Sequence, residues 1–407
     1  MNYIFSTGLP RSGTALLTKA LYESNQASIA VGPNVEIYRF FRNKLIQKYG
    51  SYSLKKKNKI FSPFQDYFGS SENLELLKLM LNGKLSEKFD KKDWNLFLTK
   101  SQTKNDHDSA DLIDYFPSLK AKSFKNIILN LIKLIKVKRK IRKPIKNKKI
   151  YYGFHETWNI CSLKTLAHSF PKAKFFVVIR DPRSVYASLS KNAEQRTELK
   201  VQLLSFCRHF RKYIILSNYF LSLPIFKKRL MIIKYEDLVT NPNQYLKKIC
   251  KFLQINFNKN MVDPKKYYDF VTKKNWIPHS SFSTKFPKLN NKPMHKWKKY
   301  LSKYEVKSIE FLCQNEMQSM NYKLKYDIKK NDISNIFKFI KQGYNKKVNW
   351  RTDLQDYSKD KSIETFRYKF LEGKIKKKNE SFKKSFLFDD YSLSYLKFHY
   401  QKQRNNV

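Results

Sequence analysis

The first twenty-two residues constrain the fold more than any other stretch of this chain. Residues 3–7 (Tyr3-Ile4-Phe5-Ser6-Thr7) read as a short buried strand. Gly8-Leu9-Pro10-Arg11-Ser12-Gly13-Thr14 follows as a glycine-bounded loop, and Leu16, Leu17, Ala20 and Leu21 then recur at helical spacing. A strand that turns through such a loop into a helix converges consecutive backbone N–H groups on one point, where an anion is held. The spacing between glycines equals that of the nucleotide triphosphatase loop G-x-x-x-x-G-K-[ST]. No lysine follows Gly13, however; Thr14 does, and the cation has moved inside the loop as Arg11. That arrangement argues for a phosphate-like ligand and against ordinary ATP chemistry.

Further strands are expected at 150–154, 174–179 and 230–233. Helices are expected at 37–48, 72–82, near 160–169, at about 196–222, from Pro242 onward, and through Val306, Ile309, Cys313, Met317 and Met320. Alternating strands and helices make an α/β chain with a central parallel sheet covered on both faces. Residues 50–148 show no run of strands and read as a basic, largely helical insertion. Residues 329–407 read as a basic helical C-terminal extension to a domain spanning 1–328.

The formal charge is +50, which invites a polyanion partner. Only 14 of the 83 cations are arginine, so most of the charge is lysine spread over solvated faces, and no specific nucleic-acid partner is expected. One stretch exceeds that background. Between Asp114 and Glu156 there is no acidic residue, and the apolar run Ile127, Ile128, Leu131, Ile132, Leu134, Ile135 has helical spacing with a cationic rim. Segment 123–149 is therefore either a helix packed on the core, a membrane-surface contact or a substrate-facing lid. No apolar run reaches the roughly 20 residues of a spanning helix. Cys161, Cys207, Cys250 and Cys313 have neither disulfide-scaffold nor metal-ligand spacing, and the chain opens without a secretory signal pattern, so a reduced, cytoplasmic, metal-free protein is expected.

A second signal follows the strand at 174–179. Arg180-Asp181-Pro182-Arg183-Ser184-Val185-Tyr186-Ala187-Ser188 places Arg180 at the carboxyl edge of the sheet, where open α/β folds bind ligands, and Ser188 eight residues later. Three of the fourteen arginines fall in this turn and the first loop.

Together these motifs resemble those of sulfotransferases that use 3′-phosphoadenosine-5′-phosphosulfate (PAPS), in the Pro-Arg-Ser-Gly-Thr form found in bacterial and tyrosylprotein members. Lys234-Tyr235-Glu236-Asp237-Leu238 resembles that family's later strand-to-helix junction. His279-Ser280-Ser281-Phe282 and Trp297 resemble its C-terminal portion. The resemblance covers about 1–50 and 150–326. It implies a three-layer P-loop (nucleotide-kinase-like) fold and transfer of a sulfuryl group from PAPS to a hydroxyl, leaving 3′,5′-ADP, without a metal. It implies donor contacts from Pro10, Arg11, Ser12, Gly13, Thr14, Ala15, Arg180, Ser188, Tyr235 and Ser281. Arg11 would lie over the sulfuryl group, and the N–H groups of Ser12, Gly13 and Thr14 would hold the 5′-phosphate. The base that takes the acceptor proton is expected among Glu36, His155 and Glu156. The acceptor stays open among carbohydrate, lipid and peptide, an acidic glycan or lipid being attracted by a basic mouth. Two rivals are a small-molecule kinase of the same broad fold and a non-catalytic polyanion binder.

Overall fold

The computed structural model of the chain describes residues 2–57, 74–85, 110–119, 121–141, 148–157, 159–197, 200–277, 292–344, 348–349 and 356–375. They divide into two compact units. The first draws on Met1–Lys59, Ser71–Arg180 and Phe220–Asn291, and the second on Asp181–Tyr219 and Lys292–Val407 together with Ile60–Ser70.

The first unit is built on five parallel strands: β1 (Asn2–Gly8), β2 (Ala27–Val31), β3 (Tyr151–His155), β4 (Lys174–Ile179) and β6 (Leu230–Lys234), in the order β2-β3-β1-β4-β6. The central strands are apolar because both faces are covered. Alternation along β1 divides its side chains between two cores. Ile4 joins Leu17, Leu21, Phe176, Val178, Leu246 and Leu253 on one face. Phe5 packs on Phe170 and Phe175 on the other, and Phe175 in turn meets Phe226 at 5.3 Å. Pairing is close enough that a Cβ on Gly153 of β3 would lie 1.7 Å from the Ile4 carbonyl oxygen, so only glycine fits there.

Four strands fall where the apolar runs place them. β2 was not legible in advance: Ala27-Ser28-Ile29-Ala30-Val31 lacks the β-branched and aromatic density of a strand, and burial beside β3 decides its conformation. Helix α1 (Thr14–Tyr22) links β1 to β2, and helix α2 (Asn34–Tyr49) leaves β2 through Gly32-Pro33.

The helix Phe124–Lys138 settles one expectation. Phe124, Ile127, Ile128, Leu131, Ile132 and Ile135 are all fully buried, and the helix packs against α2, β2 and β3. These six apolar side chains are consumed inside the fold, which favours the core-packed reading of this helix; several of its lysines, and Val137, face solvent. No helix among the described residues is long and apolar enough to cross a membrane.

The second unit is mainly helical, with Pro182–Thr197, most of Leu203–Ser222, Lys303–Ser319, Lys330–Gln342 and Tyr357–Leu371. Beside them, β5 (Lys200–Val201) and β7 (Val348–Asn349) pair in a short parallel ladder. The helix expected from about 196 to 222 therefore starts only at Leu203, after β5. A buried ion network ties Tyr357–Leu371 to its neighbours. Arg208 reaches Asp360 at 2.9 Å and Glu364 at 3.0 Å, Arg211 meets Glu364 at 2.7 Å, and Arg367 meets Glu316 at 2.5 Å. Burial alone would raise the Glu364 carboxyl, but Arg211 and Arg208 overturn that and hold it at about 2.

Removing one partner of a buried pair strands the other's charge. Glu364→Gln is expected to destabilise the protein by about 3–5 kcal/mol in urea unfolding at pH 7. Because the folded value lies below the ordinary one, this stabilisation is complete above pH about 4.5 and drains away as pH falls toward 2. The variant's stability should accordingly depend less on pH across that window.

Candidate functional site

All five strands of the first unit run the same way, so their carboxyl ends share one edge of the sheet, neighbours lying about 4.8 Å apart. The loop after β1 is central. Arg180 after β4 and Tyr235 after β6 lie to one side of it; His155 at the end of β3 with Glu156 after it, then Gly32-Pro33-Asn34 after β2, lie to the other.

The loop is wound tightly. Ser12 N–H donates to the Leu9 carbonyl at 3.1 Å across a turn with Pro10 in its second position and Arg11 in its third, where φ is +70°. That left-handed value costs a non-glycine residue roughly 1–2 kcal/mol, a strain typical of ligand-gripping segments. Gly13 also has positive φ, +92°, and a Cβ there would fall 2.3 Å from the Tyr235 ring. Thr14 and Ala15 begin α1, whose first turn contains no acid and whose start has no side-chain cap. The N–H groups of Gly13, Thr14 and Ala15 thus present an uncapped helix start suited to an anion. The Ser12 N–H is spent inside the turn, which corrects its expected part in the cradle.

Arg180 fastens this loop from the β4 side. Its Nη1 donates to the Arg11 carbonyl oxygen at 3.0 Å, and its guanidinium lies 4.3 Å from the Tyr235 ring centroid. Burial raises the Tyr235 phenol, and the Arg180 and Arg11 charges pull it back. Both cations therefore act on the same ring. The third arginine of these turns is committed elsewhere. Arg183, in the second unit, bonds Asp181 at 2.6 Å and Glu310 at 2.6 Å, leaving it a structural residue and not an anion ligand. Ser188 is buried in the helix Pro182–Thr197 of that unit. Ser281 lies outside the described residues.

On the β3 side the three base candidates differ sharply. His155 is buried, and burial lowers its imidazole to about 4, partly offset by the Ser6 backbone, so it is neutral at pH 7. Its Nδ1 has no hydrogen-bond partner among the described residues. Glu156 is also buried, and its Oε2 accepts from the Val35 N–H at 2.7 Å at the start of α2. Burial holds its carboxyl well above the usual carboxylate range despite that bond. Glu36 is half-buried and forms a 2.5 Å ion pair with Arg39 one turn along α2. Glu156 and Glu36 are thus engaged by α2 itself. Asn34 and Thr157, two further buried polar residues at these strand ends, carried no sequence signal that would have distinguished them from loop residues.

The model of the sulfotransferase family matches residues 3–259. A protein-tyrosine sulfotransferase of Drosophila melanogaster is 28% identical over 132 residues, 31% of this chain and 26% of that protein. The match therefore spans about a quarter of the length of that relative. Among solved structures, the sulfotransferase domain from the curacin biosynthetic pathway is 17% identical with a TM-score of 0.45, covering 79% of this chain and 98% of that one. The sulfotransferase domain of the Synechococcus PCC 7002 olefin synthase is 15% identical with a TM-score of 0.46, covering 81% and 96%.

The strained turn yields a test that needs no substrate. Arg11→Gly removes the left-handed penalty while loosening the unfolded chain, so stability should hold or rise by about 0.5–1 kcal/mol. A urea midpoint shifted downward would show that the arginine stabilises the fold and is not held there against it.

Proposed function

This chain belongs to the sulfotransferase family of PAPS-dependent transferases, and on that premise we propose that it moves a sulfuryl group from PAPS to a hydroxyl by in-line displacement. The observation that carries the reading is the strained loop clasped by Arg180: an anion cradle with one cation inside it and a second on its flank. The residues present suit the donor. Uncapped N–H groups of Gly13, Thr14 and Ala15 would take the 5′-phosphate, with Pro10 and Ser12 shaping the turn beneath it. Arg11 would neutralise charge on the sulfuryl oxygens. Arg180 would take the 3′-phosphate, with the Tyr235 ring packed against its guanidinium. When bound, PAPS supplies the activated sulfuryl group and its leaving phosphate.

The protein's contribution is then placement and charge, since little covalent work falls to it. The Arg11 cation would neutralise charge at the bridging oxygen of the donor without reorganisation. His155 is the group best disposed to take the acceptor proton. It is neutral, its Nδ1 is uncommitted among the described residues, and it lies one strand from the loop. An anion in the adjacent cradle would raise its basicity toward the working range. Glu156 holds the start of α2, and Glu36 anchors Arg39; both serve as positioning residues.

Two measurements test this. Arg180→Ala should weaken 3′,5′-ADP binding much more than 5′-AMP binding in calorimetry, because only the former carries the 3′-phosphate; equal losses would remove the assignment. His155→Ala should lower turnover at saturating donor by about 10²-fold, the usual worth of a proton-transfer group, while Glu36→Gln should cost less than about tenfold. The reverse ranking would make Glu36 the base.

A further inference from the structure

At the β2–β3 end of the site edge, several buried polar atoms lack hydrogen-bond partners among the described residues. Asn34 is wholly buried, and neither its Oδ1 nor its Nδ2 has a hydrogen-bond partner among the described residues. Nδ1 of His155 and Oγ1 of Thr157 share that condition, and both residues are buried. Burying such atoms without partners costs free energy, so a fold that keeps four of them together at one strand edge is holding them for something else. They do lie together. Gly32 N–H donates to the His155 carbonyl at 3.3 Å, and the Val35 N–H donates to the Glu156 carboxyl at 2.7 Å, so the backbone of 32–35 is stitched to that of 155–156.

Charge separates this corner from the rest of the chain. Residues 20–43 and 150–163 contain no lysine, in a sequence where lysine supplies most of 83 cations. Glu36 and Arg39 neutralise each other, Arg42 stands two helical turns beyond Asn34, burial lowers the His155 imidazole to about 4, and burial raises the Glu156 carboxyl. Within these two segments the cations are Arg39, paired with Glu36, and Arg42. A single hydroxyl would not satisfy the corner, because one hydroxyl donates once and accepts twice at most. The unmet set contains an amide donor, an amide oxygen, an imidazole nitrogen and a hydroxyl, on three residues.

Resting on the sulfuryl-transfer reading above, we propose that Asn34, His155 and Thr157 form an uncharged acceptor subsite that takes a neutral polyhydroxyl compound, of the kind an unsubstituted sugar presents. Asn34 and Thr157 bind the hydroxyls flanking the one that reacts, and they do so in place of water.

The experiment uses the full chain, labelled PAPS, and oligosaccharides paired by size: maltohexaose and cellohexaose against oligogalacturonate and hyaluronan hexamers. The neutral members should exceed the acidic ones at least tenfold in kcat/KM. Equal or better turnover of the acidic members overturns the proposal. So does failure to label any neutral sugar by protein that binds 3′,5′-ADP. Failure to bind 3′,5′-ADP at all would instead count against the donor reading. On the best neutral sugar, Asn34→Leu should lower kcat/KM at least tenfold, chiefly through KM, leaving 3′,5′-ADP binding unchanged. Its Tm should not fall, since an apolar side chain of similar size removes two unmet buried atoms. A lowered Tm with unchanged KM would make Asn34 purely structural and overturn its role. Should that variant not fold, Thr157→Val carries the same expectations, and an unchanged KM there overturns the subsite.

Discussion

One guanidinium joins three strand ends of the first unit. Arg180 hangs from β4, donates to the carbonyl of Arg11 in the loop after β1, and lies against the ring of Tyr235 after β6. Tyr235 in turn fills the space that a side chain at Gly13 would need. The loop's unusual backbone is therefore held from outside: Arg180 and Tyr235 oppose the return of Arg11 to an ordinary conformation. A strained turn persists only when its surroundings over-determine it, and here the surroundings are a cation and an aromatic face.

The β1 loop also divides the site edge by charge. Toward β4 and β6 there are fixed cations and an uncapped helix start, an environment for phosphate and sulfate. Toward β3 and β2, His155 is buried and neutral, burial raises the Glu156 carboxyl, and Glu36 is paired with Arg39. Such a division suits a group transfer in which one reactant is a polyanion and the other is not. It also shows why net charge misleads. The +50 of the chain resides largely in lysines that residues 20–43 and 150–163, toward the β2–β3 end of the edge, lack altogether.

Much was legible in the residues. The glycine-bounded loop with Arg11 inside it, the apolar runs of β1, β3, β4 and β6, and the arginine at the end of β4 all carry local signals, because buried parallel strands must be apolar and an anion loop needs glycine and a cation. β2 was not legible, since alanine and serine carry little strand preference and only its burial against β3 makes it a strand. The short strand ahead of Leu203 was hidden because the two residues Lys200–Val201 are too few to carry a strand pattern of their own. Arginine content also overstated anion binding, since Arg183, Arg208, Arg211 and Arg367 are all spent on buried carboxylates, partners that lie up to 156 residues away in sequence.

The sequence by itself determined the class of fold, the anion loop and the family, because each rests on interactions between residues close along the chain. Which groups are charged, which are spent and which are left over was decided only in three dimensions. Glu36, His155 and Glu156 look equivalent as a set of candidate bases. Burial, a helix start and an arginine one turn away give them three different states, and none of those influences can be read from spacing alone.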